Sequence, residues 1–247
     1  MLKATIDADM FREATDAISA LIPECRLHMD ETGISTRAVD TANVAMVALT
    51  LKKEAFDTYK ATKSQLGIDL MKIKNIFGIA GKGDLISIEM ADNAQKMSVS
   101  VHGYHYSITL LDTNTIRKDP NPPTISLPGR IVIKGDDLNN AMKAAAVISD
   151  KIALGINPKD QTFYLIAEGD TDHIRREFSK DELVSITPVE ARSLFSLDYL
   201  KDMGKVMSKA AEVEIFLGVD HPVRFSFDIA GGNGHVEYLL APRIEAD

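Results

Sequence analysis

His102 and His105 stand three residues apart in His102-Gly103-Tyr104-His105, and two imidazoles this close invite a search for a bound metal. The stretch alternates like a strand, where residues three apart point to opposite faces, so the pair reads as surface and not as a joint ligand set. The acidic run Glu168-Gly169-Asp170-Thr171-Asp172 offers oxygen donors of the kind calcium takes, but it lacks the loop pattern that spaces such ligands and reads as a solvated turn. Gly81-Lys82-Gly83-Asp84 resembles a phosphate cradle only in outline, because the preceding glycine spacing and the following Ser or Thr are missing. Gly231-Gly232-Asn233-Gly234 suits a hairpin turn. The single cysteine, Cys25, excludes an internal disulfide framework or a cysteine-based zinc site and reads as a buried thiol. No nucleophile–base constellation emerges. The expectation is a protein that is not an enzyme, with no metal and no cofactor.

The chemistry that remains is ionic, and helices carry it. Asp9 can cap a helix over residues 10–20, whose apolar positions are Met10, Phe11, Ala14, Ala17, Ile18 and Leu21. Asp69 can cap a second over 70–80, Asp136 a third with Leu138, Met142 and Ala145 inward, and Ser196 a fourth with Leu197, Leu200, Met203 and Met207 inward. Their outward positions hold Arg12, then Lys72 and Lys74, then Lys143, then Lys201, Lys205 and Lys209; Lys82 follows the second helix. The last three lysines are four apart and predict one stripe, interrupted, as on the first helix by Glu13 and Asp16, by Asp198 and Asp202. The whole chain has 28 Lys and Arg against 36 Asp and Glu, a formal net charge of −8. That argues against a nucleic-acid binder unless the positive charge gathers on one face.

Between the helices lie strand candidates at 2–6, 25–29, 34–39, 44–51, 85–90, 96–101 and 104–111, then at 130–134, 151–156, 162–168, 173–178, 183–186, 212–217, 223–229 and 236–240. The order repeats. The paired caps are separated by 69 − 9 = 60 and 196 − 136 = 60 residues, and equivalent caps differ by 136 − 9 = 127 and 196 − 69 = 127. An internal duplication accounts for this; the alternative is a single mixed domain with accidental symmetry. The seam is residues 112–127, DTNTIRKDPNPPTISL, where Pro120, Pro122 and Pro123, with Pro128 beyond, deny the chain a helix or a central strand. It reads as an extended, semi-rigid connector. At 247 residues the length allows two ordinary domains. No apolar run reaches the ~18 residues of a membrane span, and the first residues carry no leader pattern, which points to an intracellular, cytoplasmic protein. At the other end an apolar strand meets Pro242 with Ile244 beyond it, a tail that packs on its own domain or lines a groove.

Residues 34–51, ISTRAVDTANVAMVALTL, residues 195–205, FSLDYLKDMGK, the run Ala167-Glu168-Gly169-Asp170 and the terminal LLAPRIE at 239–245 give the chain a recognisable signature. Over essentially its whole length it resembles the sliding clamps of the proliferating cell nuclear antigen family, particularly those of archaea. The resemblance implies an α+β DNA clamp fold with two similar domains, 1–111 and 128–247, each of about nine strands and two helices, joined by the connector 112–127. It implies that three chains form a pseudo-sixfold ring with helices lining the hole. It reconciles the acidic composition with DNA, since the family keeps its basic side chains on the inner helices. Contacts to phosphate there are independent of sequence and sensitive to salt.

By matching position, the resemblance makes Arg12, Lys72, Lys74, Lys82, Lys143, Lys201, Lys205 and Lys209 the DNA-facing residues. Asn75 and Gly78 stand where relatives often carry lysine, so weaker attraction to DNA is expected. A partner pocket is implied at Val39, Asn43 and Met46, at Pro120, Pro122, Pro123 and Ile125, and at Pro222 with Leu239, Leu240, Ala241, Pro242, Arg243 and Ile244. Partners would insert a short helical plug, the helix-in-groove mode. Ring closure would join the strands at 104–111 and 173–178, with Ile108, Leu110, Ile174, Arg175, Arg176 and Phe178 at the subunit interface. The implied function is a DNA polymerase processivity factor that encircles duplex DNA. Its implied partners are a replicative polymerase, a clamp loader, a flap endonuclease, a DNA ligase and further copies of itself, with no membrane. The alternatives are a subunit of a heterotrimeric ring and, further off, a metal-dependent hydrolase.

Overall fold

The computed structural model describes residues 1–244; Glu245, which completes the LLAPRIE run, and the two residues after it lie outside the described residues. The described part divides into two units, one of Met1–Asp40, Val47–Asn121 and Asp228–Val236, the other of Thr41–Met46, Pro122–Phe227 and Glu237 onward.

Helix α1 (Ala8–Ser19) begins at Asp7, whose carboxylate accepts from the Asp9 N–H at 2.8 Å and the Met10 N–H at 3.3 Å. The cap is therefore two residues earlier than the expected Asp9. Asp69 caps α2 (Leu70–Phe77) as expected, accepting from the Lys72 N–H at 2.9 Å, but the helix stops at Gly78 rather than running to residue 80. Helix α3 (Gly135–Ala145) has Lys134 at its cap position; Asp136 and Asp137 instead occupy the first turn, where a carboxylate favours the positive end of the helix dipole. Ser196 holds the cap position of α4 (Leu197–Met207). Measured from these caps, the spacing is again regular: 134 − 7 = 127 and 196 − 69 = 127.

In the first unit β1 (Leu2–Asp7) is followed by β2 (Glu24–Asp30), β3 (Gly33–Val39), β4 (Ala45–Lys52), β5 (Thr58–Ala61), β6 (Ser64–Asp69), β7 (Leu85–Met90), β8 (Lys96–Val101) and β9 (Tyr104–Thr109). One sheet has the order β5-β1-β7-β8-β9, and β4-β3-β2-β6 are neighbours in another. The second half supplies β10 (Gly129–Ile133), β11 (Lys151–Asn157), β12 (Thr162–Glu168), β13 (His173–Phe178), β14 (Ser185–Thr187), β15 (Ala191–Ser196), β16 (Val213–Leu217), β17 (Val223–Ile229) and β18 (Gly234–Leu240). Here the orders are β14-β10-β16-β17 and β13-β12-β11-β15. Adding nine to each strand of the first half turns β5-β1-β7-β8 into β14-β10-β16-β17 and β4-β3-β2-β6 into β13-β12-β11-β15, so the duplication extends to strand order.

Each helix pair covers apolar sheet faces. In the first unit Ile6, Ile86, Val99 and Phe77 are buried, with Phe11 edge-on to Phe77 at 4.6 Å between centroids. In the second, Ile131, Leu138, Met142, Phe163, Phe195 and Phe225 have no appreciable exposure. Gly135 lets α3 reach α4, because a Cβ there would sit 1.9 Å from the Met207 carbonyl oxygen. Residues 117–128 carry neither helix nor strand. Among the described residues no helix is long and apolar enough to cross a membrane.

Candidate nucleic-acid and partner interfaces

The eight basic residues divide by what their charges already do. Arg12 donates to Asp9 one turn back and, through Nη2, to the Ala80 carbonyl at 2.9 Å. Lys74 donates to Ser19 Oγ and pairs with Asp16 Oδ1, both at 3.0 Å. Both side chains thus bridge the α1 and α2 segments and are half-buried there. Glu13, expected to dilute the positive face, accepts from the Ala230 N–H at 2.8 Å and so fastens the 230–232 turn to α1. Among the described residues the ammonium groups of Lys72, Lys82, Lys143 and Lys201 have no hydrogen-bond or ion-pair partner, and all four residues are exposed. Lys205 meets Asp202 at 3.4 Å.

The expected stripe on α4 is shorter than the four-residue spacing suggests. The helix ends at Met207; the Lys209 N–H turns back to the Val206 carbonyl at 3.1 Å and the Ala210 N–H to Met207 at 3.0 Å. Lys209 therefore stands in the turn after the helix.

The tail is fixed to the second unit by three bonds. The Ala241 N–H donates to the Val44 carbonyl at 2.9 Å and the Arg243 N–H to the Leu194 carbonyl at 2.7 Å. The Arg243 guanidinium pairs with Asp150 at 2.8 Å, and that contact holds the Asp150 carboxyl below the usual carboxylate range. Ile244 is 92% exposed, whereas Leu240 is fully buried and supports the tail from beneath. Asn43 adopts a left-handed backbone, φ 60°, and is exposed; Met46 is half-buried. Buried Ser193 donates to the Gly218 carbonyl at 3.1 Å and accepts the His221 N–H at 3.0 Å, setting the turn that carries Pro222. Pro122 and Pro123 are exposed and Ile125 is half-buried. Val39 and Pro120 are half-buried in the first unit. There the start of the connector is tied down: Arg26 donates to the Ile116 carbonyl at 2.6 Å, Arg117 to the Asp40 carbonyl at 2.7 Å, and His28 pairs with Asp119.

Strands β9 and β13 are edges, each at the end of its sheet. Of the residues expected at the subunit interface, Ile174, Arg175 and Arg176 are accessible and Leu110 is half-buried. Ile108 and Phe178 are not free surface: they are 3% and 2% exposed, turned into their own units. Arg175 pairs with Glu177 and lies 4.6 Å from the Tyr164 ring centroid; Arg176 pairs with Glu182 and lies 4.0 Å from the Phe178 ring centroid. The Arg176 hydrogen bond, with help from the Ser179 N–H, pulls the Glu182 carboxyl down to about 2.

Sequence reasoning missed Asp150, Leu194 and Ser193, which anchor the tail and its neighbouring turn, and missed Tyr104, 61% exposed on the β9 edge. Asp150 and Arg243 are 93 residues apart, and no local pattern links them. The residues first considered for chemistry have other partners: His105 bonds Ser100 Oγ at 2.7 Å and His102 meets Asp84 at 2.6 Å. Among the described residues no group of three His, Cys, Asp or Glu side chains gathers to hold a metal ion. Cys25 is buried, which pushes its thiol up to about 12.

The family described as "Proliferating cell nuclear antigen, N-terminal domain" matches residues 1–112. A DNA polymerase sliding clamp of Methanoregula boonei is 82% identical over all 247 residues of both chains, and one of Methanoculleus marisnigri is 65% identical with the same full coverage. Among solved structures, the A. fulgidus PCNA bound to the C-terminal region of FEN-1 superimposes with a TM-score of 0.94 at 35% identity, covering the whole of both chains.

Proposed function

This chain belongs to the proliferating cell nuclear antigen family of DNA polymerase sliding clamps, and we propose that three copies of it close into a ring around duplex DNA to tether a replicative polymerase and other DNA-processing enzymes. The observation that carries the reading is the doubled layout. Each half has its own helix pair, and β9 in the first and β13 in the second are six-residue strands at the end of their sheets. An edge of that length asks for a partner strand, and a head-to-tail contact between unlike edges makes a ring when the rotation closes. Residues 1–111 and 128–247 serve as the two clamp domains and 112–127 as the connector.

DNA is held through phosphates by Lys72, Lys82, Lys143, Lys201 and Lys205, with Lys209 beside them. No side chain reads bases, as sliding requires. Arg12 and Lys74 support the helices that present these lysines. Partner proteins bind through short helical plugs to the tail, Asn43, Met46, Pro222 and the connector. The A. fulgidus clamp holding the C-terminal region of FEN-1 supports this, and a flap endonuclease, a DNA ligase and a clamp loader are the partners expected. The chain contributes topology and attachment and no catalysis, and it works in the cytoplasm at the nucleoid. The test is primer extension by a cognate polymerase on a circular primed template with a clamp loader: adding this protein should lengthen the products. Unchanged lengths would overturn the reading.

A further inference from the structure

The duplication supplies a template for the open edges. Strand β18 lies beside β4 in the sheet order, with the Ala241 N–H on the Val44 carbonyl at 2.9 Å and the Lys52 N–H on the Asn233 carbonyl at 2.8 Å. By the nine-strand correspondence, β9 is the counterpart of β18 and β13 that of β4. The inner side of β4 is Val47, Leu49 and Leu51, none more than 3% exposed. Shifted by 127, those positions become Ile174, Arg176 and Phe178. Where the internal seam has a leucine, the open edge has an arginine.

The opposite edge has the wrong chemistry for an ion pair. Strand β9 reads Tyr-His-Tyr-Ser-Ile-Thr and contains no carboxylate. Side chains alternate along a strand, so buried Ile108 places Tyr106 and Tyr104 on the inner side with it. Arg176, for its part, already has its charge met within its own chain by Glu182, and one guanidinium face covers Phe178 at 4.0 Å from the ring centroid. The side chain is still 44% exposed. It presents a flat, charge-satisfied, partly desolvated plane, which an aromatic ring recognises better than a carboxylate does.

We propose that the seam between copies of this chain closes by stacking, with the Arg176 guanidinium held between its own Phe178 and the Tyr104–Tyr106 face of the next copy, and with no ion pair across it. The proposal rests on the ring reading above and adds its chemistry. Its consequence is a ring that salt does not loosen, since ion pairs are screened and stacked apolar area is not.

The experiment is sedimentation equilibrium of the full chain over a dilution series at 0.1 and 1 M NaCl, for the natural protein and for Arg176→Lys, Arg176→Gln and Tyr104→Ala. Arg176→Lys keeps the charge and loses the plane. The expected results are a natural trimer whose dissociation constant moves less than about threefold with salt, and a loss of about tenfold in association for Arg176→Lys as for Arg176→Gln, with Tyr104→Ala weakened too. If Arg176→Lys matches the natural protein while Arg176→Gln falls apart, or if salt alone dissociates the natural trimer, the seam is ionic and the proposal is overturned with the ring intact. A natural chain that stays monomeric under every condition overturns the homotrimer as well, which separates the two failures.

Discussion

Arg243 reaches back across the second unit to Asp150, its guanidinium 2.8 Å from the carboxylate, while its own N–H rests on the Leu194 carbonyl. The pair orients a tail whose next residue, Ile244, is almost wholly exposed. Both charges are exposed, and such pairs contribute little each, so under the proposed function the expected effect on partner capture is modest. Asp150→Asn should weaken binding of a clamp-binding peptide about two- to fivefold, measured by calorimetry, with the trimer and DNA association unchanged. The Asp150 carboxyl is held below its ordinary range by Arg243. The contact is therefore fully present above the ordinary carboxylate range and fades as pH falls through the depressed value. Peptide affinity in the natural protein should not drop between pH 7 and pH 5 on account of this pair.

Lysines without partners and lysines already engaged should behave differently. Replacing Lys143 and Lys201 by alanine is expected to weaken association with duplex DNA and to flatten its salt dependence, by ~0.9 in log–log slope for each phosphate no longer neutralised. Arg12→Ala removes the bonds to Asp9 and Ala80 and should lower the melting temperature while leaving that slope in place. Fluorescence anisotropy across a salt series reads the first, and thermal unfolding the second. Equal slopes in all variants would place the DNA elsewhere.

Cys25 should be inert in the folded chain. Burial raises its thiol to about 12, so the nucleophilic thiolate is scarce at neutral pH. A thiol reagent such as DTNB should react only after denaturation. The raised value also fixes a sign: the protonated thiol's contribution to stability is complete below the unfolded value near 9 and is lost as pH rises from there toward 12. Denaturant midpoints should fall across that alkaline window in the natural protein and fall less in Cys25→Ala.

Gly135→Ala should be costly although the change is one methyl group. The added carbon would meet the Met207 carbonyl oxygen at 1.9 Å and that of Ala210 at 2.7 Å, both backbone atoms. Separating α3 from α4 to make room should cost about 1–3 kcal/mol, read as a lower midpoint in urea.

Sequence carried the helices, the 127-residue repeat and the absence of helix and strand over residues 117–128, because these are local or periodic. Asp69 and Ser196 mark helix starts by residue type, and Asp9 misled only because Asp7, two residues earlier, is an equally good acceptor. Short strands escaped. β5 has four residues, and β15 turns the polar Ser193 inward, which breaks the hydrophobic alternation that would have announced it. Side-chain allegiance was out of reach. Arg12 bonds Ala80 across 68 residues and Arg243 bonds Asp150 across 93; spacing on a helix shows that a cation faces outward and not whether something else already holds it. Leu240, Ile108 and Phe178 are the converse, interface residues by matching position that their own units have already buried.

The connector has a further property. Pro120, Pro122, Pro123 and Pro128 have carbonyl oxygens but no N–H to give. A peptide laid alongside this ribbon finds acceptors throughout, with donors missing at three places within it and at Pro128 just after it. Any ladder along it is broken on the donor side at each proline. A ladder of the reciprocal kind that recruits strand after strand is interrupted at each of them, which guards the stretch against edge-to-edge pairing.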